Sequence, residues 1–238
     1  MSAFIQALRT AAVPLIAEIK PFSPEYGDLL RGRNPSDIAR SYVSQGVSCL
    51  SVTTGRWHHG TLRMLQEIAH DVAVPVLRKD FITRRTQLAE SRDAGAAAVL
   101  LSAQLLRRQE LSGLVTQALE MGLTPFIEAD NARQLTGLQL PAESVLAICN
   151  RDIRQQEKDD GSVNRSLSLY QLARDCGAGL LVSASAMRQP EDVLQAWQAG
   201  FDAMLIGTAL LVHEPVEQTL ASFIQILTLD KKAFISSR

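Results

Sequence analysis

Ionisable side chains end three apolar, strand-like runs of this 238-residue chain. Lys79 ends one run, Glu18 and Lys20 end another, and Glu128 ends a third. A lysine in a partly desolvated pocket has a lowered pKa, so it can act as a general acid, an electrostatic anchor or a Schiff-base nucleophile. A glutamate near it can move protons in the same reaction. These four residues are therefore the candidate catalytic residues.

The elements that must bring these side chains together are eight short apolar runs that alternate with amphipathic helical patterns. The predicted strands are 14–19, 48–53, 74–78, 97–102, 123–128, 144–149, 179–184 and 203–207. Continuous apolar character is typical of parallel strands that are buried on both faces. Several helical patterns end in a glycine just before the next strand, namely Gly46, Gly95, Gly122, Gly177 and Gly200.

This repeat predicts an α/β fold, a closed (β/α)8 barrel of the TIM type that forms a single domain over residues 1–238. The rival is an open doubly wound sheet, which usually carries a glycine-rich phosphate loop after its first strand. Here the first predicted strand is followed by Pro21-Phe22-Ser23-Pro24. In a barrel the carboxyl ends of all strands converge on one mouth, so the four candidate residues are expected to meet there.

Small residues follow the last two predicted strands, where barrels of this kind often bind phosphate. Ser185 and Ala186 follow the seventh strand, and Gly207 and Thr208 follow the eighth. Small side chains allow backbone N–H groups to approach an oxyanion closely. Ser23 could add a hydroxyl from the first loop. Together these residues predict a phosphorylated small-molecule substrate.

Charge and composition argue against several function classes. The formal net charge is −1 and the basic residues are scattered, so neither nucleic acid nor an anionic membrane is expected as a partner. The three cysteines lack paired metal spacing and fit a reducing compartment. No apolar stretch approaches the roughly 20 residues that span a bilayer, and the amino terminus lacks a secretory signal pattern. We expect a soluble, cytoplasmic protein.

Four further features have ordinary as well as functional explanations. His58 and His59 are adjacent, so they point apart on a strand, and no third ligand has matching spacing; no metal site is predicted. Cys149 could be a nucleophile, but a buried structural thiol is favoured. Trp57 could stack on an aromatic substrate or pack within its loop. The polar stretch 154–165 could be a lid over the mouth or an ordinary solvated loop.

Several blocks of the sequence resemble, in order, the indole-3-glycerol phosphate synthases. The matching blocks are Glu18-Ile19-Lys20 with Ser23-Pro24, then 75–81, Ile127-Glu128, Asn150-Arg151-Asp152 and Leu205-Ile206-Gly207. The Arg-Lys-Asp-Phe block at 78–81 is the most specific part. The resemblance implies a (β/α)8 enzyme of tryptophan biosynthesis that needs no cofactor. Such an enzyme closes the pyrrole ring of a carboxyphenylamino-deoxyribulose phosphate with loss of carbon dioxide and water.

The resemblance also implies a role for each candidate. Lys79 would be the general acid that promotes ring closure, and Lys20 would hold the anthranilate carboxylate. Glu18 and Glu128 would handle protons, including those of the dehydration step. Phe81 would line the aromatic pocket, whereas Ser23 and Gly207 would contact the phosphate. The expected substrate-binding residues are Ser23, Phe81, Asn150, Arg151, Ser185, Ala186, Gly207 and Thr208.

The chain departs from the family pattern at several positions. Ser183-Ala184-Ser185-Ala186 stands where the family has Ser-Glu-Ser-Gly, so a glutamate and a glycine are lost. Cys149-Asn150 stands where the family has two asparagines, and Thr54-Gly55 where it has Thr-Glu. Only about 13 residues precede the first predicted strand, so the amino-terminal extension is expected to be short. These changes predict a diverged member, possessing the same chemistry or retuned to a related phosphorylated substrate.

Two other functions stay open on the sequence alone. One is a catalytically silent barrel that binds a phosphorylated ligand or a partner protein. The other is a sugar-phosphate aldolase that forms a Schiff base on Lys79. The four retained ionisable residues favour the family reaction, because loss of catalysis would not be expected to spare all of them.

Overall fold

Parallel strands close into an eight-stranded barrel in the computed structural model, which describes residues 2–151, 161–213 and 215–236. In chain order the strands are β1 (Leu15–Ile19), β2 (Phe22–Ser23), β3 (Gly27–Asp28), β4 (Cys49–Thr53), β5 (Val76–Lys79), β6 (Ala98–Ser102), β7 (Thr124–Ala129), β8 (Val145–Cys149), β9 (Leu180–Ala184) and β10 (Ala203–Ile206). The short β2 and β3 form an antiparallel pair, and the others form the barrel. The predicted (β/α)8 barrel is confirmed, and each predicted strand ends within two residues of the observed one.

Helices precede, connect and follow the barrel strands. They are α1 (Ala3–Thr10), α2 (Pro35–Ser44), α3 (Leu62–Asp71), α4 (Arg85–Asp93), α5 (Arg108–Glu120), α6 (Ala132–Leu135), α7 (Asn164–Arg174), α8 (Pro190–Gln198), α9 (Thr208–Leu211) and α10 (Val216–Ser236). Side-chain caps begin several of them: the Asn34 side chain accepts from the Ser36 N–H before α2, and Thr61 accepts from the Met64 N–H before α3. Within the described ranges, no helix is long and apolar enough to cross a membrane.

The barrel closes where β1 pairs with β10 on one side and with β4 on the other. Leu15 lies in register with Met204, and Ile16 with Cys49. Inward side chains fill the barrel, whereas outward side chains pack under the helices, so the strands are buried on both faces. This double burial explains why the strands are nearly continuous apolar runs.

Helix α1 covers the amino-terminal end of the barrel. Phe4, Ile5 and Leu8 are buried with the inward side chains of the strands. The Phe4 ring meets Phe126 edge-on with centroids 6.3 Å apart, and the Cys49 thiol lies 3.8 Å from the Phe4 carbonyl oxygen. The interior is therefore filled at this end, and the candidate catalytic residues lie at the other.

Candidate active site

A buried ion pair lies at the carboxyl end of the barrel. Lys79 Nζ, at the end of β5, lies 3.1 Å from Glu18 Oε2 on β1. The Ser51 hydroxyl on β4 donates to the same oxygen at 3.1 Å. The side chains of Lys79 and Glu18 are only 10% and 3% exposed. Such a pair is stable only when its remaining hydrogen-bonding groups are also satisfied, so Ser51 holds the carboxylate that faces the lysine.

Glu128 and Cys149 complete the inner wall on the opposite side of the mouth. Both are buried, and β7 and β8 pair so that Glu128 is in register with Ala147, two residues before Cys149 on the same face. Burial, followed by the negative charge of Glu128, raises the pKa of the Cys149 thiol. The thiol is therefore neutral, and its sulfur lies 3.6 Å from the Ser185 hydroxyl oxygen. A neutral buried thiol is a poor nucleophile, which agrees with the structural role expected for Cys149.

The Arg-Lys-Asp-Phe block divides between the two faces of β5. Lys79 faces the mouth, whereas Arg78 and Asp80 face outward and form an ion pair with Nη2 and Oδ2 3.0 Å apart. Arg78 also donates to Thr54 Oγ1 at 3.1 Å and to the Ser91 hydroxyl of α4 at 3.0 Å. The flanking charges thus fix the end of β5 to its neighbours, and this network sets the position of the lysine.

Aromatic side chains from the loops after β1, β4 and β5 form an aromatic wall, in which Phe81 follows Lys79 by two residues. The Trp57 and Phe81 rings meet at 69° with centroids 4.2 Å apart, and Phe22 stacks on His59 at 4.3 Å. Trp57 remains 40% exposed. Gly55 makes room for it, because a Cβ at that position would lie 2.9 Å from the indole Nε1. Trp57 therefore packs against Phe81 and still has exposed ring surface that a ligand could contact.

A cleft with basic side chains opens on the other side of Glu18, next to the ends of β9 and β10. It brings together seven of the predicted site residues: two at the end of β1 and five that follow β8, β9 or β10. Its lining includes Glu18, Lys20, Arg151, Ser185, Ala186, Gly207 and Thr208, with Tyr26, Arg188 and His213 at the same cleft. Lysine and arginine side chains favour an anionic ligand, and arginine suits phosphate in particular.

Two consecutive residues in this cleft have left-handed backbone conformations. Ser185 has φ of 66° and Ala186 has φ of 52°. This region costs a residue with a Cβ about 1–2 kcal/mol, which explains why the family pattern has glycine at the second position. The loop keeps the glycine-like conformation despite the alanine. Strain of this kind persists where the surrounding structure enforces it.

Asn150 helps to hold this loop in place from outside the barrel wall. Its side-chain nitrogen donates to the Ser183 hydroxyl and to the Ser185 carbonyl, each at 3.1 Å, and its oxygen accepts from the Ser166 N–H at 3.0 Å. Asn150 is fully buried between β8, β9 and α7. The structure therefore places this predicted substrate-binding residue behind the loop after β9 and not in the cleft.

Glu25 contacts both Ser23 and Arg151. Ser23 is fully buried, and its hydroxyl accepts from the Glu25 N–H at 3.3 Å. Arg151 Nη2 lies 3.1 Å from Glu25 Oε2, which joins the first loop to the end of β8. A hydrogen bond to Glu25 raises the pKa of the neighbouring Tyr26. Asp152 and residues 154–160 of the predicted lid lie outside the described residues.

Sequence reasoning missed two hydroxyls on the inner wall. Thr53 at the end of β4 is 1% exposed, and within the described part of the chain its Oγ1 has no hydrogen-bond partner. Ser102 at the end of β6 is also buried, and its hydroxyl accepts from the Gln104 N–H at 3.3 Å. A buried hydroxyl without a partner costs about 1–3 kcal/mol. The available signal was a polar residue at the end of an apolar strand, two residues after another inward-facing residue: Ser51 for Thr53 and Leu100 for Ser102.

The sequence of the chain is similar to those of known enzymes. The family model described as indole-3-glycerol phosphate synthase matches residues 1–223. The indole-3-glycerol phosphate synthase of Pyrococcus abyssi is 38% identical over 213 residues, which cover 89% of this chain and 91% of that protein. The protein of the same name from Chlorobaculum tepidum is 35% identical over 212 residues, which cover 88% and 80%.

The fold is similar to those of solved structures with distant sequences. A mutant tryptophan synthase alpha-subunit from Pyrococcus furiosus matches with a TM-score of 0.66 at 10% identity, covering 89% of this chain and 97% of that chain. At this level of identity the likeness concerns the fold alone. It agrees with the closed (β/α)8 barrel.

Proposed function

The chain belongs to the indole-3-glycerol phosphate synthase family, and we propose that its buried Lys79–Glu18 pair carries out that family's ring closure. The enzyme is a carbon–carbon lyase of tryptophan biosynthesis. Its substrate is a carboxyphenylamino-deoxyribulose phosphate, and its products are indole-3-glycerol phosphate, carbon dioxide and water.

One observation carries this proposal: Glu18 of the ion pair also lines the cationic cleft, and Phe81 of the aromatic wall follows Lys79 by two residues. Lys79 Nζ and Glu18 Oε2 lie 3.1 Å apart at the carboxyl end of the barrel, and we assign them the roles of acid and partner. Trp57 and Phe81 come from the loops after β4 and β5, whereas the cleft is lined by the loops after β9 and β10. The substrate has an aromatic ring at one end and a phosphate at the other, so its reacting carbonyl would lie between them.

Ring closure needs an acid at that carbonyl. The ring carbon that bears the carboxylate bonds to the carbonyl carbon, and the C=O electron pair moves to the oxygen, which takes a proton from Lys79 Nζ. The bond from the ring to the carboxylate then breaks and carbon dioxide leaves. The electron pair of the broken bond stays on the ring and restores its aromaticity. Lys20 orients the carboxylate before this step, and Glu18 stabilises the charged lysine in its nearly dry site.

Dehydration needs a base and an acid on the new five-membered ring. After ring closure Lys79 regains a proton from solvent. Glu128 then takes the proton from the ring carbon next to the hydroxyl-bearing carbon, and the hydroxyl leaves as water with the proton of Lys79. General acid–base catalysis of this kind contributes about 10²–10⁴ in rate. Because Ala184 and Cys149 provide neither a carboxylate nor an amide at the mouth, these residues must work without two groups of the family pattern.

The test is a fluorescence assay for indole-3-glycerol phosphate with the wild type and a Lys79→Met variant. We expect turnover in the wild type and a loss of at least about 10²-fold in the variant. Arg63→Met is the control, because Arg63 lies on the surface of α3 and forms an exposed ion pair with Glu67. Full turnover in Lys79→Met would refute the assigned role.

The two alternative functions, a silent barrel and an aldolase, predict different results. A silent barrel would bind the substrate without product in the wild type. An aldolase would leave an adduct on Lys79 when borohydride is added with a sugar phosphate, whereas ring closure forms no reducible bond to the protein.

We also propose that the enzyme acts in the cytoplasm and folds as one domain. The three free cysteines, Cys49, Cys149 and Cys176, are all buried, which suits a compartment where thiols stay reduced. A phosphorylated small molecule is the proposed ligand.

A further inference from the structure

Thr53 lies on the inner wall between the strands that carry the two mouth lysines. β4 pairs with β1 on one side and β5 on the other, and Thr53 is in register with Lys79. Val52 is in register with Ile19, so Thr53 is level with Lys20. Ser51 faces the interior, because its hydroxyl reaches Glu18, and Thr53 two residues later has the same orientation.

The Thr53 hydroxyl has no structural use in the described part of the chain. Its oxygen is buried and has no hydrogen-bond partner there, whereas the Ser51 hydroxyl on the same face is used by Glu18. A valine would fill the same space without leaving a polar group unsatisfied. A buried polar group that lowers stability and has no structural role is expected where function retains it.

We propose that Thr53 is a further catalytic residue, which donates a hydrogen bond to the substrate oxygen that Lys79 protonates. The inference rests on the proposed ring closure. The lysine ammonium can only donate, whereas the threonine hydroxyl can donate and accept. When the new carbon–carbon bond forms, the C=O electron pair moves to the oxygen and the proton comes from Lys79 Nζ. Thr53 keeps its proton and stabilises the charge that develops on this oxygen.

The test compares Thr53→Val with Thr53→Ser and a matched control. Ser48 lies just before β4, at the opposite end of the same strand, and its hydroxyl is likewise buried without a partner among the described residues. Ser48→Ala therefore removes an equivalent group far from the mouth. The measurements are kcat and KM for formation of indole-3-glycerol phosphate, and the thermal midpoint of each variant.

We expect kcat of Thr53→Val to fall about tenfold or more, because a donor to the developing charge is lost. Its thermal midpoint should equal or exceed that of the wild type, since an unsatisfied buried hydroxyl is removed. Thr53→Ser keeps the hydroxyl and should retain kcat within about threefold. Ser48→Ala should leave kcat unchanged.

Two results would overturn the role of Thr53 while the proposed function stands. One is wild-type kcat in Thr53→Val, and the other is a fall in kcat that is accompanied by a lower thermal midpoint and is not rescued by serine. A wild type that forms no product would instead refute the ring closure itself and, with it, the role of Thr53. The wild-type measurement therefore separates the two failures.

Discussion

Substitution of Gly207 by alanine should disrupt the Lys79–Glu18 ion pair from the side opposite Lys79. A Cβ at position 207 would lie 2.6 Å from Glu18 Oε1 and 3.2 Å from Glu18 Cβ and Cδ. An ordinary contact needs at least 3.4 Å, so the carboxylate must move by about 0.8 Å. It cannot slide directly away, because Lys79 and Ser51 hold its other oxygen at 3.1 Å. The side chain must rotate out of line with both partners.

The size of the effect follows from the contacts that this rotation breaks. A hydrogen bond to a charged group contributes about 1.5–3 kcal/mol, and about 1.4 kcal/mol corresponds to a tenfold change in rate. We therefore expect kcat to fall about 10–100-fold. Overpacking costs about 1–3 kcal/mol, and about 2–4 °C of thermal midpoint corresponds to each kcal/mol in a protein of this size. The thermal midpoint should drop by about 2–12 °C.

Steady-state kinetics and thermal unfolding of Gly207→Ala test this reasoning. Gly113→Ala is the control: a Cβ there meets nothing within 4 Å on α5, so it should stabilise the protein by about 0.5–1 kcal/mol. Adding Glu18→Asp to Gly207→Ala shortens the side chain and should restore part of the stability but not the turnover. Wild-type kcat and stability in Gly207→Ala would refute the argument. A raised KM with unchanged kcat would assign Gly207 to phosphate binding alone.

Two further variants test other parts of the structure. Gly55→Ala should displace the Trp57 indole, whose Nε1 would lie 2.9 Å from the new Cβ; we expect a shifted tryptophan emission and a KM raised several-fold, and an unchanged spectrum would contradict this. Burial raises the pKa of the Cys49 and Cys149 thiols above their ordinary value of 9.0, so the folded state favours the protonated forms. Stability should thus be complete below about pH 9 and decline above it by at most about 1.4 kcal/mol per thiol and pH unit. Thermal midpoints from pH 8 to 11 check this, and Cys49→Ala should decline less steeply than the wild type.

The fold was predictable because parallel barrel strands leave a strong signal. Burial on both faces makes each strand a continuous apolar run, and the helices between them end in glycine at regular intervals. The prediction was least accurate at β5, which begins at Val76 and not at residue 74. Pro75 has no N–H to give to the ladder, although its carbonyl accepts from the Leu50 N–H at 3.0 Å.

The candidate site was predictable where charged residues end a strand and where small residues follow the last two strands, as at the cleft. Ionisable residues at strand ends are rare enough to stand out, so Lys79, Glu18 and Glu128 could be placed at the mouth from the sequence. Threonine is common in strands, so the residue type of Thr53 does not indicate a functional role. Asn150 could have been placed correctly from strand alternation alone, because its neighbour Cys149 faces inward and the two must point to opposite faces.

The barrel can close only after β10 has been synthesised, because β1 pairs with β10. The first barrel strand finds one of its two neighbours in the last, with Leu15 opposite Met204. During synthesis, a chain that has reached only β9 leaves one edge of β1 and one edge of β9 unpaired, and open edges invite pairing with other chains. The contact between Glu18 and Gly207 forms in the same final step. The mouth of the barrel is therefore complete only after closure, once residue 207 has left the ribosome.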